Sequence, residues 1–70
     1  STTMKEPPYV SSLRIELPET ALADENLSAR LLAKAGVSDA FIVPEERSAY
    51  VKIDSKVTNR FEIEALVNAG

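Results

Sequence analysis

The chain has 70 residues, 44% of them hydrophobic, with eight Lys and Arg against eleven Asp and Glu, and it contains no Cys and no His. A chain of this size buries only roughly 60% of its unfolded surface, and here neither a disulfide nor a Cys/His zinc site can add stability. The same absences exclude Ser-His-Asp and Cys-His catalysis and thiol redox chemistry. A carboxylate or Lys mechanism would need a cleft and a cluster of reactive groups, and neither Lys34 nor Lys52 belongs to one. We therefore expect one small non-enzymatic domain without a cofactor.

The net charge of −3 argues against nucleic-acid binding, which needs a basic patch, because the eight basic residues are scattered along the chain. No apolar run approaches the roughly 20 residues that span a membrane, so we expect no membrane insertion. The compartment, cytoplasmic or periplasmic, stays open.

A polar stretch that contains Pro7 and Pro8 predicts a flexible tail or linker over residues 1–9, followed by a domain over residues 10–70. Alternating apolar and polar residues predict a first strand over residues 10–17, which Pro18 ends. Residues 19–23 are expected to be a connector.

The first helix is predicted after Asp24 or Asn26, either of which could cap it. Its apolar face is expected to carry Leu27, Leu31, Leu32 and Ala35. Gly36 is placed to end the helix, since Gly adopts a positive φ at little cost.

Two strands are predicted next, over Val37–Val43 and residues 49–54, and the polar segment between them indicates a hairpin. Asn59 and Glu62 resemble a capping box at the start of a second helix. An apolar stripe is expected along that helix, with Gly70 as its stop. The stripe comprises Phe61, Ala65, Leu66 and Ala69, widened by Ile63 and Val67.

The element order is strand, helix, strand, strand, helix, which predicts an α+β fold with two helices on one face of an antiparallel sheet. This is a ferredoxin-like β-α-β-β-α(-β) sandwich whose fourth strand is missing from the chain. In that plan the strand order is four-one-three-two. Without the fourth strand, the first strand would be an edge of the sheet.

The residues from about Leu13 to Gly70 resemble the heavy-metal-associated domain of copper chaperones, mercury-binding proteins and metal-pumping P-type ATPases. The resemblance is carried by Gly36-Val37, Ala40, Ile42, Ala49, Val51, Asp54 and the segment 64–70, Glu-Ala-Leu-Val-Asn-Ala-Gly.

The resemblance implies a Cys-x-x-Cys loop after the first strand, because two soft thiolates chelate Cu(I). Counting back from Gly36 places those positions on Thr20 and Ala23, neither of which replaces a thiolate. We therefore expect no thiolate metal site. Acidic residues near this loop could supply hard oxygen ligands for Ca²⁺ or Mg²⁺. Acidic residues near a helix N-terminus, however, more often stabilise the helix through its dipole. They are Glu19, Asp24 and Glu25.

Three explanations for the open first strand are possible: the chain is part of a longer one, its tail folds back, or another chain supplies the strand. The segment Thr2 to Tyr9 could itself be exchanged in a homodimer. The other candidate surface is the outer sheet face, where two aromatic residues meet charged neighbours. Its predicted partner-binding residues are Phe41, Val43, Tyr50, Arg14 and Lys52, with Tyr9 added if the tail folds across them.

The sequence thus predicts a protein-interaction or accessory domain on a degenerate heavy-metal-associated scaffold, whose partner is another protein domain or the parent chain. The alternative is a metal-binding or metal-transport module with non-Cys or partner-supplied ligands.

Overall fold

The computed structural model of this chain describes residues 9–69, and residues 1–8 and Gly70 lie outside the described part. The predicted tail and the segment Thr2 to Tyr9 therefore fall almost entirely outside it, and both stay predictions. The elements in chain order are β1 (Val10–Glu16), α1 (Glu19–Leu22), α2 (Leu27–Ala33), β2 (Val37–Val43), a 3₁₀ turn (Pro44–Glu46), β3 (Ser48–Asp54) and α3 (Arg60–Ala69).

The strands of residues 9–69 form a three-stranded sheet in the order β1-β3-β2, and both neighbours run antiparallel to the central β3. In the β1 ladder Arg14 lies opposite Tyr50, and in the β2 ladder Phe41 lies opposite the same Tyr50. The predicted α+β class with an antiparallel sheet is therefore confirmed.

The core lies between one face of the sheet and the helices. Alternate residues of β3 point into it, because side chains on a strand alternate between the two faces. Helix α2 contacts β2, and α3 contacts both β1 and α2. The buried apolar cluster comprises Ile15, Leu17, Ala21, Leu27, Leu31, Ala40, Ala49, Val51, Ile53, Ile63 and Val67.

The prediction that residues 19–23 form a connector without helix was wrong, since Glu19–Leu22 form the short helix α1. Pro18 precedes its first turn, and its carbonyl oxygen accepts hydrogen bonds from the backbone N–H groups of Ala21 and Leu22 at 3.0 Å. The turn is held because it buries Ala21 in the core. A single turn carries too few residues to show helical periodicity, so the sequence pattern does not reveal it.

The predicted apolar face of the next helix was wrong at two positions. Helix α2 ends at Ala33, so Ala35 lies beyond it and is exposed. Leu32 is 50% exposed, whereas Leu27 and Leu31 are buried. The reason is geometric: residues four apart share a helix face, and the next residue is turned by about 100°.

Gly36 ends this segment as expected, with a φ of +94°. A Cβ atom at this position would lie 2.8 Å from the Cγ2 atom of Thr58 and 2.9 Å from the Cγ1 atom of Val57. Both the backbone conformation and the close approach of the turn before α3 therefore require Gly here.

The predicted stripe on the last helix was also wrong in part. Ile63 and Val67 are buried and Leu66 is half-buried, whereas Phe61 is 78% exposed. The buried residues follow the i, i+3, i+4 spacing from Ile63, which turns Phe61 toward solvent together with Ala65 and Ala69. The backbone N–H of Glu62 donates to Oδ1 of Asn59 at 2.9 Å, so Asn59 caps this helix.

One polar network ties the loop before α2 to α3. The Arg30 guanidinium donates to Oδ2 of Asp24 at 2.6 Å and to the carbonyl oxygen of Leu66 at 2.8 Å. The hydrogen bond from the backbone N–H of Asn26, followed by the interaction with Arg30, lowers the pKa of Asp24.

A second polar network ties the end of α2 to the start of α3. Nζ of Lys34 lies 3.0 Å from Oε1 of Glu62, which also accepts a hydrogen bond from the buried Thr58 hydroxyl at 2.8 Å. The hydrogen bond from Lys34, followed by that from Thr58, lowers the pKa of Glu62. Both networks thus use charged groups at the rim of the core to fix the positions of the helices.

Candidate protein-contact surface on the open sheet face

The outer face of the sheet, away from the helices, carries a row of three side chains that we call the aromatic row: Arg14, Tyr50 and Phe41. They come from β1, β3 and β2 and lie opposite one another in the two ladders. Phe41 is 58% exposed and Tyr50 is 39% exposed. Directly opposite residues in antiparallel strands have Cβ atoms about 4.5–5.5 Å apart, so the two rings form a continuous apolar strip.

Tyr50 is fixed at one end of its side chain. Its hydroxyl donates to Oε1 of Glu46 at 2.5 Å. This hydrogen bond, with burial adding to it, raises the pKa of Tyr50, and the Arg14 side chain acts in the opposite direction. The orientation of the Tyr50 side chain is therefore fixed by Glu46.

The remaining predicted contact residues, Val43 and Lys52, lie in the rows on either side. Val43 pairs with Ser48, and Lys52 pairs with Ser12 on one side and Asp39 on the other. Both side chains are half-buried. The structure thus brings all five predicted residues onto one face, and their role in binding a partner stays a prediction.

Tyr9 does not join the aromatic row. Its carbonyl oxygen accepts hydrogen bonds from the backbone N–H and the hydroxyl of Ser55, at 2.9 and 2.6 Å. Its ring lies 5.0 Å from Nζ of Lys56. Tyr9 therefore lies beside Ser55, just beyond the end of β3 and five residues from Tyr50 along the chain.

Acidic residues surround the aromatic row. The alternation of the strands places Glu16, Asp39 and Asp54 on this face, and Glu46 follows from its bond to Tyr50. The basic residues that the strands place on this face are Arg14 and Lys52. The outer face as a whole is therefore acidic, in the same sense as the chain.

A cleft opens at the hairpin end of this face. It encloses about 430 Å³ and is lined by Glu16, Leu17, Pro18, Glu46 and Arg47. The sequence does not reveal this cleft, because the polar segment 44–48 indicates only a hairpin connection. Its parts come from the end of β1 and from a hairpin about 30 residues later, and no local pattern reveals that juxtaposition.

Arg47 takes an unusual position in that cleft. Its φ is +53°, in the left-handed region that non-Gly residues seldom adopt. The backbone N–H of Leu17 donates to its carbonyl oxygen at 2.8 Å. Its guanidinium lies 3.4 Å from Oε2 of Glu19. The Arg47 side chain is therefore drawn toward α1.

The loop that the metal-domain resemblance singled out carries no converging ligands. Thr20 and Ala23 are exposed, Asp24 is bound by Arg30, and Glu19 faces Arg47. Within residues 9–69 no group of three or more His, Cys, Asp or Glu is arranged to hold a metal ion. In the same range no helix has the length and apolar character needed to cross a membrane.

Comparison with known proteins assigns the family. The model of the family described as the YajR YAM domain matches residues 13–69. Among curated proteins, the inner membrane transport protein YajR of Escherichia coli (strain K12) is 63% identical over 67 residues, which cover 96% of this chain and 15% of that protein. The chain therefore corresponds to a small part of the length of this relative.

These matches overturn the resemblance to the heavy-metal-associated family. The YajR YAM domain model covers the same stretch, from residue 13 to residue 69, and the relative is a transport protein of that name. The predicted degenerate metal scaffold, the link to metal homeostasis and the alternative of a metal-binding module were therefore wrong.

The physical reason is that the shared residues meet structural needs. Gly36 supplies a positive φ, and the alternating small and branched residues of β2 and β3 fill the core. Any domain with this plan needs such residues at these places. Thr20 and Ala23 are accordingly not the sites of lost cysteines.

Proposed function

We propose, from the premise that the chain belongs to the YajR YAM domain family, that it is a non-catalytic accessory domain of a membrane transport protein. The similarity to the inner membrane transport protein of Escherichia coli supports this, since the matched region is 15% of that protein. A domain that forms a minor part of a larger chain has the rest of that chain as its nearest partner at high effective concentration.

The open sheet face is the surface through which the domain docks onto the parent protein. The observation that carries this step is the aromatic row, in which Phe41 and Tyr50 are adjacent, exposed and flanked by Arg14. Interfaces are enriched in aromatic residues and Arg at their centres, with polar residues at the rim. Tyr50 is already ordered by Glu46, so docking costs little side-chain entropy there.

The finer fold belongs to the same proposal: a ferredoxin-like arrangement in which a further strand from the parent protein lies beside β1. The β1–β3 register directs the backbone groups of Val10, Ser12, Arg14 and Glu16 away from β3. The Arg60 guanidinium donates to the carbonyl oxygen of Arg14 at 3.0 Å. The outward groups at the other three positions are suited to pair with such a strand.

The docking proposal is tested by cysteine labelling, which this chain favours because it has no Cys. Ser12→Cys places a thiol on the open face, and Glu25→Cys places one in the exposed loop before α2. Each is compared in the 70-residue chain and in the full-length transport protein that carries it, with other cysteines replaced. We expect the full-length protein to slow alkylation at position 12 several-fold and to leave position 25 unchanged.

A second variant tests whether the aromatic row causes that protection. Phe41→Ala with Tyr50→Ala should restore fast labelling at position 12, because the central apolar contact is lost. Phe61→Ala is the matched control, since Phe61 is also exposed but lies on α3. Equal labelling at positions 12 and 25 in both proteins would contradict docking through this face.

A further inference from the structure

We propose, as a refinement that rests on the proposed function, that the open face binds a basic segment of the parent transport protein. One Lys or Arg side chain of that segment sits in the cleft between Glu16 and Glu46, and its apolar part lies along Phe41 and Tyr50.

The cleft has the shape and chemistry for a single long cationic side chain. Its volume of about 430 Å³ exceeds that of one side chain, and Leu17 and Pro18 provide apolar wall for an aliphatic stem. Glu16 and Glu46 supply carboxylates for the charged end. Charge-assisted hydrogen bonds to a carboxylate are roughly twice as strong as neutral ones.

The carboxylate of Glu46 is already oriented to bind a cation. The Tyr50 hydroxyl donates to its Oε1 atom at 2.5 Å, which fixes the carboxylate beside the aromatic row and leaves Oε2 as a further acceptor. Binding in the cleft and contact with the aromatic row are thus parts of one surface.

An anionic occupant fits the same cleft poorly. Arg47 is the one basic residue among those that line it, and its guanidinium already faces Glu19 at 3.4 Å. Two carboxylates at the wall would repel a phosphate or carboxylate. The balance of charges therefore selects a cation.

The charge of the whole face identifies the class of partner. Four carboxylates against Arg14 and Lys52 on the strands and Arg47 at the cleft leave the face acidic, and the chain carries a net charge of −3. In this proposal the domain lies on the cytoplasmic side of the membrane, because cytoplasmic loops of membrane proteins carry an excess of Lys and Arg. The anionic cytoplasmic leaflet, in contrast, repels an acidic surface. A basic loop of the membrane part is therefore the complementary occupant, and a lipid surface is not.

The test uses the full-length protein with Ser12→Cys and the two isosteric changes Glu16→Gln and Glu46→Gln. Both glutamates are exposed, so the fold is expected to persist, which far-ultraviolet circular dichroism checks. Loss of two exposed ion pairs should weaken docking by roughly twofold to thirtyfold, and labelling at position 12 should accelerate accordingly. Raising the salt to about 0.5 M should have the same effect on the unchanged protein.

Matched controls separate this refinement from docking itself. Glu25→Gln and Asn26→Asp shift the net charge without touching the cleft, and neither should alter labelling at position 12. If protection is present but insensitive to Glu16→Gln, Glu46→Gln and salt, the basic partner is refuted and the docking proposal stands. If the unchanged protein shows no protection, both fail.

The chemistry of the partner is tested separately with the 70-residue chain. A twelve-residue peptide of Leu and Lys should shift the backbone NMR signals of Tyr50, Glu46 and Phe41, and its counterpart with Glu in place of Lys should not. Equal shifts from both peptides, or equivalent shifts from phosphatidylglycerol vesicles, would overturn the assignment to a basic protein segment.

Discussion

The two faces of strand β3 differ sharply although they alternate residue by residue. On the helix side Ala49, Val51 and Ile53 are at most 2% exposed, whereas Tyr50 on the open side is 39% exposed. The first set holds the domain together, and the second leaves an aromatic residue at the surface. One strand of seven residues therefore contributes both to stability and to the proposed contact surface, and mutations of neighbouring residues should have different kinds of effect.

The two exposed phenylalanines refine that comparison. Phe61 is more exposed than Phe41, at 78% against 58%. Phe41, however, lies opposite Tyr50 in the sheet, while Phe61 lies on the outward side of α3 between polar neighbours. A contact surface is therefore indicated by adjacent exposed apolar groups, and exposure of one residue does not suffice.

The largest expected effect comes from the helix side. Leu31→Ala should lower the free energy of unfolding by about 2–5 kcal/mol, because Leu31 is fully buried and its removal leaves a cavity. Leu32→Ala, one residue away and half exposed, should cost less than about 1 kcal/mol. Urea unfolding followed by circular dichroism measures both. Similar losses of stability in the two variants would contradict the distinction between buried and exposed positions.

A smaller loss is expected at the junction of α2 and β2. Gly36→Ala should cost about 2–3 kcal/mol, since a side chain at φ +94° is strained and its Cβ atom would approach Thr58 and Val57. Adding Val57→Ala should recover part of that loss, because the side chain of Val57 is one of the two close contacts. If the double variant is no more stable than Gly36→Ala alone, backbone strain alone explains the requirement for Gly.

The smallest effect concerns the polar networks at the rim of the core, and it depends on pH. The folded pKa of Asp24 lies below its usual 3.8, and that of Glu62 below its usual 4.5. A carboxyl with a lowered folded pKa adds stability that is complete above its unfolded pKa and is lost as the pH falls through the folded value. Asp24→Asn and Glu62→Gln should therefore lower the urea midpoint at neutral pH, with the difference shrinking toward zero in strong acid.

Glu25→Gln is the control for that measurement, because Glu25 is exposed and adjacent to Asp24 in sequence, but its side chain takes part in neither network described above. The urea midpoint of Glu25→Gln should equal that of the unchanged protein at every pH measured. A difference for Asp24→Asn that persists undiminished well below its usual pKa would show that the side chain acts through packing and not through its charge.

Much of the fold follows from local patterns. Alternation placed all three strands within one residue of their observed bounds, and Gly36 marked the end of the first helical region. Patterns failed where tertiary contacts decide: α1 exists because Ala21 finds a place in the core, and Phe61 faces solvent because Ile63 and Val67 take the buried side. Propensity and spacing do not contain that information.

The candidate site shows the same division. The aromatic row can be predicted from the sequence, because strand alternation and pairing bring Phe41 and Tyr50 together on one face. The cleft cannot be predicted in the same way, since it brings together Glu16 and Glu46, which are thirty residues apart in the chain. The resemblance to the heavy-metal-associated family is misleading for a related reason: residues that satisfy a common backbone plan are shared by unrelated domains, so they identify the plan and not the family.

The strand order has a consequence for how the domain forms. Strand β3 is central in the sheet but is the last of the three to be synthesised, so β1 has no hydrogen-bonding neighbour among these strands until about forty more residues have followed it. The hairpin of β2 and β3 closes a short loop and can assemble early, whereas docking of β1 closes a long one and must wait. During synthesis the exposed strand β1, with its apolar Leu13 and Ile15, is thus the segment most in need of protection from aggregation.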